Sequence, residues 1–318
     1  MTQIFVVLVT ILVFHASVHA VDKIRIGISG LGSQFITFPL AQKRGFLKEE
    51  GFDSEIVRIT GGATRVALAS GDIDYSIGVA GMVGAAVVGV PVRVVACYLC
   101  APVWVLMARP ELKSVQALKG KTIGINAFGT APEFIVRIMA KHFGLDPERE
   151  IKLIATGPPE ARLASLTRGL VDATVLGPPF DFEAKKLGFN ALANAHEIVS
   201  FPETGLIASV KKIQERPDEI KRTIRAGIKA NRYIRSEREG TVQFMMDWLR
   251  INREVAVATY DSTAKIFSDD GNFPENIIRL VIEEAKKAAK VSREVAPSEV
   301  AELSILREAQ RELGIKEK

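Results

Sequence analysis

Three short patterns in this chain return at nearly one spacing. Ile26-Gly27-Ile28 recurs as Ile123-Gly124-Ile125, 97 residues on. Ile56-Val57-Arg58-Ile59-Thr60-Gly61 is echoed 96 residues later by Lys152-Leu153-Ile154-Ala155-Thr156-Gly157. Leu68-x-x-Gly71-x-Ile73-Asp74-x-x-Ile77 returns 98 residues on as Leu166-x-x-Gly169-x-Val171-Asp172-x-x-Val175. A repeat this long is a whole supersecondary unit, so the chain has to build one architecture twice. Each copy reads strand, helix, strand, helix, strand. The first runs over 23–28, 38–50, 54–60, 63–70 and 75–78, the second over 121–126, 131–143, 151–155, 160–168 and 173–176. Strands alternating with short helices predict parallel sheets covered on both faces.

Further strands are expected over 92–99, 103–108 and 205–210, and helices from 217 to 313 with stops at Gly240, Gly271, Pro274 and Pro297. The fold class is therefore α/β: two similar lobes with mainly parallel sheets, joined by a two-strand hinge, the C-terminal helices packed on the first lobe. Lobe I is expected to comprise 21–108 plus 205–318, and lobe II 109–204, with connections near 109–114 and 200–204. A hinge between two lobes makes a cleft that closes.

Residues 1–20 carry no Asp, Glu, Lys or Arg, and residues 4–14 are almost wholly apolar ahead of Ala16-Ser17-Val18-His19-Ala20. This is the pattern of an export signal cleaved after Ala20, although its first residues lack the usual basic charge. The expected location is the periplasm. The formal charge of +5 comes from 42 Lys plus Arg against 37 Asp plus Glu, with no concentrated basic run, which speaks against nucleic acid as a partner. The only two cysteines, Cys97 and Cys100, fall in a stretch read as a buried strand. A strand sends positions i and i+3 to opposite faces, so they are expected to be core thiols.

In open α/β sheets ligands bind beyond the carboxyl ends of the strands, where helices begin. Here those turns are small and nearly uncharged, and glycine lets backbone N–H groups approach a ligand. The candidate binding residues are Ser29, Gly32 and Phe35, then Gly62, Ala63 and Thr64, then Val79, Ala80 and Met82. In the second lobe they are Phe128, Gly129 and Thr130, then Pro178, Pro179 and Phe180. Phe128 and Phe180 are expected to cover an apolar part of the ligand. Arg65 and Glu160 are the only charges well placed to meet a ligand or to close the cleft by facing each other. Asp74 and Asp172, at equivalent turns, are read as structural.

Outside residues 1–20 only His142 and His196 remain, and no H-E-x-x-H, G-x-S-x-G or G-x-G-x-x-G pattern occurs. No catalytic residue, cofactor or metal is called for.

Leu40-Ala41-x-x-x-Gly45-Phe46-Leu47-x-x-Glu50-Gly51-Phe52, Gly61-Gly62-Ala63-Thr64-x-x-x-Leu68-Ala69-Ser70-Gly71-Asp72-Ile73-Asp74 and Leu118-Lys119-Gly120-Lys121-Thr122-Ile123-Gly124 resemble the solute-binding proteins of ABC importers. The nearest subgroup is the nitrate, sulfonate and taurine type, which includes binders of thiamine-pyrimidine precursors. The resemblance implies a type II periplasmic binding fold, capture of a small organic ligand, anionic or polar, by closure, and delivery to the permease subunits of an importer. A monomer is expected. The rivals are an enzyme on the same fold acting on a small heterocycle, in the manner of a pyrimidine-precursor synthase, and a ligand sensor presenting its closed form to a receptor.

Overall fold

The glycines of the repeated Ile-Gly-Ile mark two equivalent strands that are packed too tightly for a side chain. A Cβ on Gly27 would lie 2.8 Å from Ile73 Cδ1, and one on Gly124 would lie 3.0 Å from Thr156 Oγ1. The flanking isoleucines Ile26, Ile28, Ile123 and Ile125 are buried, so each strand runs through the middle of a core. The computed structural model describes residues 21–59 and 62–316; the expected export signal, Thr60 and Gly61 lie outside the described residues.

Ten strands follow in order: β1 (Asp22–Ile28), β2 (Phe52–Arg58), β3 (Tyr75–Gly78), β4 (Val92–Leu99), β5 (Val105–Ala108), β6 (Thr122–Ile125), β7 (Lys152–Ala155), β8 (Ala173–Leu176), β9 (Asn190–Asn194) and β10 (Thr204–Ser209). They form two five-stranded sheets, ordered β2-β1-β3-β10-β4 and β7-β6-β8-β5-β9. The orders correspond strand for strand, as the repeat requires.

Each sheet is mixed where a purely parallel repeat would have been parallel. β1 pairs in parallel with β2 and β3, and β6 with β7 and β8, but β10 and β5 run antiparallel to both of their neighbours. These two strands are the ones the chain lays down on arriving from the other lobe, so they enter their sheets in the reverse direction. β5 belongs to the second sheet, which moves the first crossing from the expected 109–114 to residues 100–104 and the lobe boundary ahead of 108. The return crossing is residues 195–203, and β9, which no sequence pattern announced, completes the second sheet.

The two repeated aspartates do the same structural task. Asp74 Oδ2 accepts from Arg25 N at 2.7 Å, and Asp172 Oδ2 accepts from Thr122 N at 2.8 Å. Each carboxylate thus ties the turn before the third strand of the repeat to the first strand of the repeat, β1 or β6. Lys212, just past β10, pairs with Asp74 at 2.6 Å, and Arg109, just past β5, lies 3.6 Å from Asp172.

The C-terminal helices pack on the first lobe. The helix Pro217–Ser236 lies against the helix Thr37–Lys43 and β4, and the helix Glu275–Ala289 lies against the helix Val79–Val87. The expected stop at Gly240 falls inside the helix Arg238–Leu249, and the break comes at Glu237 instead. Among the described residues no helix is long and apolar enough to cross a membrane.

Cys97 and Cys100 are joined in a disulfide, with their Cα atoms 6.1 Å apart, which overturns the expectation of two core thiols. The alternation argument failed because β4 ends at Leu99. Cys100 lies beyond the strand, in the crossing segment, where the chain no longer alternates and its side chain is free to turn back toward Cys97.

Candidate functional site

The carboxyl ends of β1, β3, β6 and β7 point toward one another across the two lobes, and a cleft with about 730 Å3 of empty space, its mouth included, lies between them. The lobes meet around it. Ser33 N donates to Pro178 O at 3.0 Å, Gly30 packs against Pro159, and Arg58 pairs with Glu160. Glu160 therefore closes on Arg58 rather than on the expected Arg65. Arg65 reaches over the second lobe's Gly129 instead, where a Cβ would come within 2.9 Å of its Nη2.

Six of the candidate binding residues line the cleft: Ser29, Phe35, Thr64, Ala80, Met82 and Thr130. The Thr64 hydroxyl also donates to Ile59 O at 3.3 Å, and that of Thr130 to Ala127 O at 2.5 Å, so each is tethered to the backbone of the loop before its helix. Ala80 and Met82 lie not in a turn but in the first turns of the helix Val79–Val87, whose Val79 is buried in the core. Gly32, Gly62, Ala63 and Gly129 are not among the lining residues. Pro178 and Pro179 are buried beside the lobe contact, and Phe180 is packed against Leu163, Leu166 and their neighbours in the second lobe.

Phe128 stands outside the cleft instead of covering a ligand. Its ring is 55% exposed and does not line the cleft. The Thr130 cap and the left-handed Gly129 carry the turn so that residue 128 projects to solvent. Phe128→Ala is expected to leave ligand affinity unchanged and to alter stability by no more than about 0.5 kcal/mol, as for an exposed position with no special contact; urea unfolding beside a binding titration checks both.

The strongest chemistry in the cleft was not assigned from the sequence. Arg162, on the helix Pro159–Thr167, lines the cleft and is only 1% exposed. Its Nε donates to Val175 O at 3.0 Å and its Nη1 to Gly157 O at 3.2 Å, while Nη2 has no hydrogen-bond partner. The guanidinium lies over the Trp104 ring, 5.0 Å from its centre. Trp104 Nε1 in turn donates to Glu203 Oε2 at 2.7 Å. Trp104 ends the first crossing segment and Glu203 lies at the end of the second, so this bond links the two hinge segments at the cleft wall. Burial pushes the Glu203 carboxyl up to about 8, against the opposing pull of the Trp104 N–H and the Arg162 charge. Burial also lowers Arg162, to about 10, which leaves it charged at neutral pH.

One signal in the sequence did point to Arg162: it stands 97 residues after Arg65, which also lines the cleft. The repeat that fixed the architecture thus places two arginines at equivalent points of the two helices facing the cleft. Asn126, at the end of β6, adds a buried side-chain oxygen without a partner. Among the described residues the cleft lining includes no His or Cys.

Two α/β lobes of matching strand order, crossed twice by the chain and with a cleft between them, define the periplasmic binding protein fold. The chain belongs to the NMT1/THI5-like family, which residues 33–239 match. No curated protein matches the sequence. Among solved structures it is similar to the ligand-binding component of an ABC-type import system from Staphylococcus aureus, with 16% identity, 91% of this chain and 99% of that one covered, and a TM-score of 0.77. It is likewise similar to the alkanesulfonate-binding protein SsuA from Xanthomonas axonopodis pv. citri, with 17% identity, 90% and 97% covered, and a TM-score of 0.74. The desulfurization enzyme DszB shares the fold at 14% identity, 92% and 99% covered, with a TM-score of 0.64.

Proposed function

We propose that this protein is an exported solute-binding protein that captures a small organic ligand, anionic or polar, between its lobes and delivers it to the permease subunits of an ABC importer. The observation that carries the reading is the cleft itself: a cavity between lobes that the chain joins only through two crossing segments, lined by turn hydroxyls and a buried guanidinium. The units that move on closure are residues 22–99 with 204–316, and residues 105–194, hinged at 100–104 and 195–203. Ser33 to Pro178 and Arg58 to Glu160 are contacts between these units, so they belong to the closed form. Closure brings the outer faces of both lobes into the register that a permease reads, and a ligand favours it by binding the closed state more tightly than the open one. The leader over residues 1–20 supplies the route to the periplasm, where the protein acts as a monomer.

A non-catalytic role is supported by the similar structures of an import-system ligand-binding component and an alkanesulfonate-binding protein, with the enzyme DszB on the same fold as the rival reading. The test is a thermal-shift panel of sulfonates, nitrate, aromatic carboxylates, amino acids, pyrimidines and flavins, followed by analysis of each hit after incubation. A ligand at 100 times its dissociation constant stabilises the protein by about 2.7 kcal/mol. A hit recovered unchanged supports capture; a hit that is consumed supports the enzyme.

A further inference from the structure

Three charged side chains face the cavity: Arg65 and Arg162 from the repeated helices, and Glu203 from the second crossing segment. Arg162 is the one that is fully buried, and it has no direct ion pair among the described residues. Its Nε and Nη1 are spent on backbone carbonyls, its face on Trp104, and its Nη2 on nothing. A buried guanidinium with an unsatisfied N–H costs free energy that a well-placed acceptor returns, most of all a charged one. The same cleft is lined by apolar surfaces, Phe35, Met82 and Trp104, that suit the body of an organic molecule more than a hydrated inorganic ion.

We propose that Arg162 is the charge anchor of the ligand site, that the solute class is a monoanionic carboxylic acid with an apolar body, and that Glu203 has to be protonated for the anion to be held. This rests on the solute-binding reading above and narrows it. The charged group facing Glu203 is Arg162, with Trp104 as its hydrogen-bond donor; Arg162 also feels the charge of Glu160, which Arg58 partners at the cleft rim. An ionised Glu203 neutralises Arg162 and repels the incoming carboxylate, so the two anions compete for one cation. With its carboxyl pushed up to about 8, Glu203 is mostly neutral at pH 7 and mostly ionised at pH 9. Capture above that value takes up one proton, and affinity falls by about tenfold between pH 7 and pH 9 by linkage.

The experiment uses benzoate and its neutral counterpart benzamide as probes, each titrated into the whole protein with tryptophan emission, from Trp104 and Trp248 together, and thermal shift as readouts. Benzoate is expected to bind at pH 7 and benzamide at least tenfold more weakly, with benzoate affinity falling about tenfold by pH 9. Arg162→Met should abolish the preference for the acid, and Glu203→Gln should remove the pH slope. Arg162→Lys, which retains a charge, should recover part of the preference and separates loss of the anchor from loss of the fold. Benzamide binding as well as benzoate, an acid preference that survives Arg162→Met, a flat pH profile in the unaltered protein, or no benzoate binding overturns the proposal. Any of these beside a neutral solute that binds unchanged leaves the solute-binding reading standing; consumption of a bound solute is what removes that reading.

Discussion

Trp104→Ala is expected to lower stability by about 3–5 kcal/mol, the range for deleting a buried aromatic ring. The ring is 2% exposed and serves three neighbours at once. It fills the wall between the crossing segments, its N–H satisfies the buried carboxyl of Glu203, and its face carries the Arg162 guanidinium. Truncation therefore leaves a cavity, an unpartnered carboxyl and an unsupported cation in one place. Trp104→Phe separates these effects, because it keeps most of the volume and the ring face but deletes the donor; about 1–3 kcal/mol is expected from the orphaned Glu203. In the Glu203→Leu background, which has no acceptor for the Trp104 N–H, the Trp104→Phe loss should change by about 0.5–3 kcal/mol, the range for residues in contact, since each partner's removal alters what the other loses. Urea denaturation of the four proteins measures the cycle. Additive losses would mean that the hydrogen bond between the crossing segments contributes nothing of its own.

The architecture was legible because it is written twice. Gly27 and Gly124, Asp74 and Asp172, and Leu68 and Leu166 each recur at nearly one offset, and in each pair the same packing or hydrogen-bonding need recurs in the other lobe. What the repeat does not contain is where sequence reading went astray. β5 and β10 have no counterpart within the βαβαβ unit, so neither the lobe boundary nor the antiparallel entry of those strands follows from it. Glu203 and Trp104 end the crossing segments that lead into those strands, and a single Glu or Trp there carries no periodicity to betray it. Phe128 shows the complementary error. An aromatic residue in a small-residue turn reads as a ligand cover, but the direction of its side chain is set by the left-handed Gly129 after it, and that direction is outward. Arg162 lay between these cases. The offset from Arg65 names it, yet its burial depends on the Trp104 ring beneath it, which only the folded chain brings there.

Asn231→Leu is expected to cost about 2–4 kcal/mol, several buried polar partners being orphaned by an apolar side chain of similar size. The residue is fully buried on the helix Pro217–Ser236. Its Nδ2 donates to Tyr98 O at 3.0 Å and to Ser268 O at 2.7 Å, and its Oδ1 accepts from the Thr37 hydroxyl at 2.9 Å. Three separate segments are tied to this helix by one amide: the end of β4, the loop after residue 266 and the helix that follows β1. Tyr98 O also accepts from Ser268 N at 2.8 Å, so it keeps one partner in the variant and limits the loss. Ser268 O and the Thr37 hydroxyl depend more directly on Asn231. Asn231→Asp tests the direction of these bonds. The carboxylate still accepts from Thr37 but now faces two carbonyl oxygens, so burial and lone-pair repulsion raise its pKa. Because the folded state then binds the proton more tightly than the unfolded state, stability relative to the unaltered protein should fall as pH rises from the ordinary aspartate value through the raised one. A stability gap independent of pH in Asn231→Asp, or a loss under about 1 kcal/mol in Asn231→Leu, would mean that apolar packing alone holds this helix on the first lobe.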